Sequence, residues 1–431
     1  MNGLILQPPY YALRGSHNNR IQQGGHYLLE MLNAMNIPTK LLNMDAKDEA
    51  YGTRYNILKA TNTTVEEEFS KYDFTRLKKT LDDSKFDFIL VTCGDMVVPT
   101  VDTGSPKHTQ YVVNKLREFG YTGRVLANGP FLIKLKGVDT HIYGDCEDII
   151  ADIIQNALVK EIHHEVTQKY LSVLPDLTTN NLIIPLASHE LDSISSSRGC
   201  IGSCKFCLAP KIYKKKMRYT DAWYFVRRLK KRNKKYGVTN FYFTDLLFTA
   251  NKAHAREICK NIIDMELNIT WRCEARVDTL DEDTLKLMKE AGCEYIKLGV
   301  ESMSNRRLKW MDKRIRVSQI QTAVSLMKKV GIKCVVYILL GGNNFTDEDY
   351  LAELELFKAL DADKYTVSIL NPVRGSKFFK EIKWVNKVTD NVSHLDSNIV
   401  KLWGISQHIV DQYFLLELTH RREDNEVRNF E

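Results

Sequence analysis

The sequence predicts an α/β protein: a parallel sheet wrapped by helices, then a partial barrel of six strand–helix units, then a helical tail. Three observations predict this. Strand-like and helix-like segments alternate twice along the chain. A polar stretch with prolines and no period separates the two alternations. And 431 residues suit two domains better than one. The expected boundaries are a first domain at 1–158, a linker at 159–188, the partial barrel at 189–380 and the tail at 381–431.

In the first alternation Gly3 to Gln7 reads as a strand. Ile21 to Asn36 reads as a helix with Leu28, Leu29, Leu32 and Met35 on one face. Thr39 to Asn43 is a second strand, and residues 45–84 a polar, partly helical excursion. Phe86 to Thr92 is a buried-type strand ending at Gly94. Lys107 to Glu118 is a helix, Arg124 to Ala127 and His141 to Tyr143 are strands, and Glu147 to Gln155 is the last helix. The linker carries Pro175 and Pro185 around the polar run Thr178-Thr179-Asn180-Asn181.

The second alternation has strands at Ser193 to Ser197, Asn240 to Thr244, Asn268 to Ala275, Glu294 to Gly299, Ile332 to Leu340 and Tyr365 to Leu370. Helices fall between them at Thr220 to Tyr236, Lys252 to Glu266, Asp281 to Ala291, Val317 to Val330 and Asp347 to Leu360. Six such units make an open barrel, and chemistry in such folds sits at the C-terminal strand ends. Period two puts Arg272, Glu274 and Arg276 on one face and Ile269, Trp271, Cys273 and Ala275 on the other. Lys297, Gly299 and Glu301 share a face in the next strand. A polar inward face predicts a lumen for a polar ligand. Leu395 to Glu431 reads as one long helix.

Composition excludes several classes. With 44% hydrophobic and 27% charged residues the chain can bury a core, so disorder is not expected. Nine cysteines in so long a chain are not a secreted disulfide scaffold. The start lacks a signal-peptide pattern, and no segment reaches the ~20 apolar residues of a membrane span. The expected setting is a reducing cytoplasm. A net charge of +7 does not by itself argue for nucleic acid.

Three of the nine cysteines, Cys200, Cys204 and Cys207, stand in a C-x3-C-x2-C loop directly after the first barrel strand. An ordinary 4Fe–4S cluster takes four cysteines. Three leave one iron open to chelate a small molecule such as S-adenosylmethionine. Zinc is the competing reading, but it wants a fourth ligand, usually from a second cysteine pair. The nearest upstream histidine is His189, and there is no second C-x-x-C. The other six cysteines read as small core residues, Cys273 lying beside the expected cavity.

Arg198-Gly199-Cys200, the cysteine spacing and Phe206 before the last cysteine resemble the radical S-adenosylmethionine superfamily. Further matches follow in order: Phe243 to Thr249, Arg276-Val277-Asp278, Ala291-Gly292-Cys293, Gly299-Val300-Glu301-Ser302, Leu340-Gly341-Gly342 and Asn371 to Gly375. The resemblance covers about residues 190 to 380. It implies a 4Fe–4S cluster on Cys200, Cys204 and Cys207, and an S-adenosylmethionine site lined by Thr244, Asp245, Arg276, Glu301, Gly341 and Gly342.

The first domain resembles the Rossmann-like cobalamin-binding domain of one subgroup of that superfamily. Pro8, Pro9 and Tyr10 follow its first strand, Gly94 and Asp95 its third, Asn128, Gly129 and Pro130 its fourth, and Gly144 its fifth. Open α/β sheets bind ligands at this edge, and the resemblance implies cobalamin there, in a cleft facing the barrel. Asn128 stands where the family has glycine, and no histidine near Gly94 is placed to ligate cobalt. The implied activity is radical modification of an unactivated carbon in a small metabolite or peptide, with cobalamin-dependent methyl transfer as the leading outcome. Cobalamin-independent rearrangement, dehydrogenation or epimerisation are alternatives. An iron–sulfur regulator of nucleic acid is the rival of another class.

Lys211 to Lys235 holds twelve Lys and Arg and one acid, Asp221. It reads as the wet face of an outer helix. Its functional reading is a dock for an acidic electron donor of flavodoxin or ferredoxin type, and RNA ranks last.

Overall fold

The computed structural model describes residues 1–10, 13, 21–46, 65–97, 105–156, 158–172, 174–186, 191–382 and 397–422. The chain divides into two compact units, 1–191 and 192–431.

The first unit holds strands β1 (Gly3–Gln7), β2 (Thr39–Asn43), β3 (Phe88–Thr92), β4 (Arg124–Asn128), β5 (Thr140–Gly144) and β6 (Glu161–His164). They form one sheet in the order β2-β1-β3-β4-β5-β6, every pair parallel. Its helices are α1 (Gln23–Ala34), α2 (Val65–Ser70), α3 (Thr75–Asp83), α4 (Pro106–Glu118), α5 (Ile150–Gln155) and α6 (Gln168–Leu171). β1 and β3 are buried at every position, so both read as nearly unbroken apolar runs; a parallel strand covered on both faces has no solvent side.

Two features here depart from the sequence reading. β6 lies in the stretch read as linker; it is an edge strand, alternately exposed and half-buried, and so shows no apolar run. Residues 181–183 of that stretch also pack on the sheet: the Leu41 N–H donates to the Asn181 carbonyl and the Ile183 N–H to the Leu41 carbonyl, each at 2.9 Å. Ile184 joins the core of Leu4, Leu6, Ile89 and Val91. Of the polar excursion at 45–84, residues 47–64 lie outside the described residues.

In the second unit β7 (Ser193–Ile194) is followed by an antiparallel pair, β8 (Ser197–Gly199) and β9 (Met217–Tyr219), and then by β10 (Asn240–Phe243), β11 (Thr270–Ala275), β12 (Cys293–Glu301), β13 (Lys333–Leu340) and β14 (Lys364–Ile369). β7 and β10 to β14 form a parallel sheet in sequential order, as a barrel segment wound in one direction requires. The helices are α7 (Ala209–Ile212), α8 (Ala222–Tyr236), α9 (Lys252–Asp264), α10 (Glu282–Glu290), α11 (Asn305–Trp310), α12 (Val317–Val330), α13 (Asp347–Leu360), α14 (Lys377–Glu381), α15 (Ser397–Trp403) and α16 (Gln407–Arg422).

The two faces of this sheet differ. Phe243, Trp271, Cys273, Ile296, Val336 and Ile338 are fully buried on the face covered by helices, where the α8 residue Phe225 meets the Phe243 ring at 5.1 Å. Tyr242, Arg272, Glu274, Lys297 and Tyr337 alternate with them and are half-buried. Cys273 therefore lies under the helices beside Cys293, not on the polar side.

The tail is two helices rather than one, broken at Gly404, whose φ is +72°. It completes the barrel edge: the Glu417 carboxylate accepts the Val367 N–H of β14 at 3.0 Å, satisfying a ladder donor that has no further strand. Residues 395–396 and 423–431 of the expected helix lie outside the described residues.

Candidate active site

The chain enters the cysteine loop through β8, and Asp245 just past β10 holds that entry. Its carboxylate accepts the Ser196 N–H at 3.0 Å, the Ser196 hydroxyl at 2.8 Å and the Ser197 hydroxyl at 2.5 Å. Burial pushes its pKa up, against these three hydrogen bonds. Asp245 is thus spent on positioning β8 and is not open to a ligand as expected. Thr244 is buried beside it, its N–H on the Ile194 carbonyl.

The loop is pinned from beneath. The Ser203 hydroxyl donates to the Asp312 carbonyl at 3.3 Å, the Lys205 N–H to the Met311 carbonyl at 2.9 Å, and the Phe378 N–H to the Lys205 carbonyl at 3.0 Å. Each of the three sulfurs accepts an N–H. Gly202 donates to Cys200 Sγ at 3.3 Å, Arg276 Nη1 to Cys204 Sγ at 3.9 Å, and Ala209 to Cys207 Sγ at 3.4 Å. Such donors favour thiolate and tune the clusters it holds. With no metal charge nearby, burial pushes the Cys207 thiol up to about 12 and raises Cys200, so ligation must displace those protons. Among the described residues no three His, Cys, Asp or Glu side chains converge on a single-ion site; a cubane is gripped at three separate irons. The other six cysteines are buried.

Glu301 ends β12 in an unusual backbone. Its φ is +71°, and the pairing with β13 shifts register between Gly299 and Glu301. A left-handed φ on a non-glycine residue costs about 1–2 kcal/mol, and such strain gathers at ligand clamps. The bulge aims the carboxylate at Lys313, whose Nζ is 2.8 Å from Oε1. Gly299 leaves room for this pair: a Cβ there would stand 2.8 Å from Lys313 Nζ and 3.0 Å from Glu301 Oε1. Burial opposes the Lys313 charge, but Glu301 and Cys204 outweigh it and hold its pKa above the ordinary lysine value. Arg276 also donates to both oxygens of Asp278 at 3.0 Å and to the Lys313 carbonyl at 2.8 Å.

Gly341 and Gly342 turn off the end of β13 at φ of +142° and +149°, with Trp403 and Phe345 packed over them. Arg307 fixes this turn, donating to the Leu339 carbonyl at 2.6 Å and the Gly341 carbonyl at 3.1 Å. Its partner Glu353, at 3.0 Å, accepts the Ser302 hydroxyl and the Met303 N–H just past Glu301. The pair Arg307–Glu353 thereby ties two strand ends together. Sequence reading missed Arg307, Glu353 and Lys313. Arg307 lies on the short α11, which the sequence reading does not name, Glu353 on the helix read at Asp347 to Leu360, and Lys313 in a charged turn without a motif.

The polar face of the sheet carries its own network. The Tyr242 hydroxyl donates to Glu274 at 2.5 Å and that of Tyr337 at 3.2 Å. Lys297 Nζ stands 4.7 Å from the Tyr242 ring, and the Arg272 guanidinium 4.9 Å. Burial and then Glu274 raise both phenols well above 10, so they remain donors.

In the first unit the strand ends expected to meet a corrin are mostly buried. The Asn128 amide folds back along the sheet, donating to the Ile142 carbonyl at 3.0 Å and the Gly144 carbonyl at 2.9 Å, so it does not stand out from the edge. Gly129 and Gly144 have internal reasons: a Cβ on them would lie 2.2 Å from the Cys93 carbonyl and 2.0 Å from the His164 carbonyl. Asp95 caps α1, accepting the Gln23 and Gly24 N–H groups at 2.7 and 3.0 Å. Pro8, Pro9, Tyr10 and Gly94 are buried and Pro130 half-buried; the Tyr10 N–H is held by Asp45 at 2.6 Å. His108 is fully buried, its Nδ1 2.5 Å from the Ser105 hydroxyl.

Residues 194–357 match the Radical SAM superfamily. An uncharacterized methyltransferase of Pyrococcus horikoshii is 30% identical over 203 residues, which are 46% of this chain and 44% of that protein. The bacteriochlorophyllide d C-12(1)-methyltransferase of Chlorobaculum tepidum is 22% identical over 265 residues, 59% of this chain and 56% of that protein. The chain thus spans about half the length of these relatives. In fold it is similar to the radical S-adenosylmethionine methyltransferase TsrM of Kitasatospora setae, with a TM-score of 0.67 at 15% identity, covering 88% of this chain and 74% of that one. It is likewise similar to the cobalamin-dependent enzyme OxsB, with a TM-score of 0.66 at 14% identity, covering 96% and 67%. Among the described residues no helix is long and apolar enough to cross a membrane.

Proposed function

We propose that this protein is a radical S-adenosylmethionine enzyme that methylates an unactivated carbon of a small metabolite or peptide, with a 4Fe–4S cluster on Cys200, Cys204 and Cys207 and cobalamin in the first unit. The observation that carries the reading is the cysteine loop, in which each of three sulfurs accepts an N–H while the other six cysteines are buried. When bound, the cluster supplies the electron that splits S-adenosylmethionine to a 5′-deoxyadenosyl radical, and cobalamin supplies the methyl group. The chain's own work is positional. Asp245 sets the strand entering the loop, and the 311–312 turn holds the loop from beneath. Glu301, at the bulged end of β12, offers its carboxylate to the amino acid part of S-adenosylmethionine. In the first unit, the Asn128 amide folds back along the sheet instead of projecting from its edge, which supports the corrin reading. The similarity to methyltransferases supports methyl transfer.

The same proposal includes an acidic one-electron donor of flavodoxin or ferredoxin type. Lys214, Lys215 and Lys216 are exposed just before β9, whose Met217 pairs with Gly199 beside Cys200. The basic stretch is not all wet, however: Arg232 is fully buried and donates to the Ser193 carbonyl. Nine free cysteines support a reducing cytoplasm.

A second reading, the cobalamin-independent radical enzyme, is favoured by Gly129 and Gly144, whose lack of a side chain is explained without a corrin. Anaerobic reconstitution separates the readings. The expected protein holds four irons, releases 5′-deoxyadenosine from S-adenosylmethionine and dithionite, and retains roughly equimolar hydroxocobalamin after desalting. Cleavage without retained corrin selects the second reading, and stoichiometric zinc without iron sinks both. Glu301→Ala is expected to weaken S-adenosylmethionine binding with iron content unchanged.

A further inference from the structure

The cysteine loop is faced by two cations that the sequence does not associate with it. Arg276 Nη1 lies 3.9 Å from Cys204 Sγ. Lys313 Nζ lies 5.9 Å from the ring of Phe206, one of the two residues between Cys204 and Cys207. Both are withdrawn from water, with side-chain exposures of 13% and 6%, so solvent screens their charges little. The two are also tied to each other, since Arg276 Nη2 holds the Lys313 carbonyl at 2.8 Å.

The backbone is bent to present Lys313. Asp312 and Arg314, on either side of it, have φ of +51° and +58°, and its partner Glu301 has +71°. Three non-glycine residues in left-handed backbone around one ammonium group are a concentration of strain of the kind found where a side chain must be aimed. The carboxylate partners sit differently from the cations. Asp278 is engaged through Arg276 Nε and Nη2, leaving Nη1 for the sulfur, and it is 29% exposed, so water screens it more than the guanidinium. Glu301 is buried with Lys313 and offsets part of its charge.

We propose that Arg276 and Lys313 are positioning residues for charge, which hold the reduction potential of the cluster up, and that Glu301 trims their effect. This rests on the cluster reading above. A cubane core on three thiolates carries one negative charge when oxidised and two when reduced, and burial penalises the second. One electron enters from a one-electron donor and stays on the cluster; the two fixed cations stabilise the reduced form more than the oxidised one. Net charge and hydrogen bonds to sulfur are established levers on such potentials.

The test is an EPR-monitored redox titration of anaerobically reconstituted full-length protein with dithionite, without S-adenosylmethionine. Lys313→Met and Arg276→Met are each expected to lower electron affinity tenfold or more, which is 59 mV for a one-electron couple. Lys313→Arg and Arg276→Lys should stay near the native value. Glu301→Gln should move the potential the other way, upward. Neutral variants that hold four irons at an unchanged potential would overturn the inference. If a neutral variant does not hold iron, Glu301→Gln decides, and an unchanged or lower potential there overturns it as well. Failure of the native protein to take up iron is a different result, and it would count against the cluster itself.

Discussion

Arg307 and Glu353 have side-chain exposures of 0% and 3%, and each also holds backbone at a strand end. Removing one member of a buried pair strands the other charge, at about 3–5 kcal/mol, whereas replacing both with apolar groups of similar volume is often nearly neutral. Glu353→Ala is therefore expected to lower stability by about that much in urea unfolding, and Arg307→Met with Glu353→Leu by much less. The double variant should still bind S-adenosylmethionine more weakly, because the Leu339 and Gly341 carbonyls and the Met303 N–H lose their anchors. If it binds as tightly as the native protein, the pair serves stability alone. At this scale spacing singled out the three cysteines as candidates, and the family resemblance singled out Glu301. Asp245 and Asp95 were legible as residues but not as roles. A carboxylate at a strand end looks the same in sequence whether it faces a ligand or, as both do here, caps backbone from a distant segment.

Among the elements, α10 shows how a boundary is written into sequence. Asp281 is its N-cap, accepting the Thr284 N–H at 2.9 Å, and it also meets Lys252 and Arg256 at 2.9 Å. Burial works against its charge, but the Thr284, Lys252 and Arg256 hydrogen bonds prevail and hold its pKa well below the carboxylate range. A lowered folded pKa means that its stabilisation is whole above the unfolded value, about 3.9, and is lost as pH falls from there through the folded pKa. Asp281→Ala is expected to cost about 1 kcal/mol at pH 7. The gap to the native protein should narrow in unfolding measurements taken below pH ~4. A gap of the same size at pH 7 and pH 3 would show that the carboxylate charge plays no part. Other helix ends carry local signals of the same kind: α13 starts at a Thr346–Asp349 capping box, and α12 ends at left-handed Gly331. β6 and the β8–β9 pair were not readable, being three or four residues long and without an apolar run.

For the whole molecule, the division into units makes a prediction that neither unit makes alone. The cysteines belong to 192–431 and the proposed corrin edge to 1–191. Replacing Cys200, Cys204 and Cys207 together by alanine should remove iron and its brown absorbance while cobalamin is retained after desalting. Loss of both from a protein with native circular dichroism would mean that the corrin depends on the cluster loop.

The sequence by itself determined the two strand–helix alternations, the parallel character of both sheets and the C-x3-C-x2-C spacing of Cys200, Cys204 and Cys207. Each of these is local: a period, a cap, or a spacing within eight residues. Only the tertiary structure decided which charges meet. Lys313 with Glu301, Arg276 with Cys204, and Asp245 with Ser196 and Ser197 are contacts across 12, 72 and about 50 positions. Sequence carries no period for such pairs. They form because parallel strands bring their C-terminal ends to one edge, where buried polar groups must find partners.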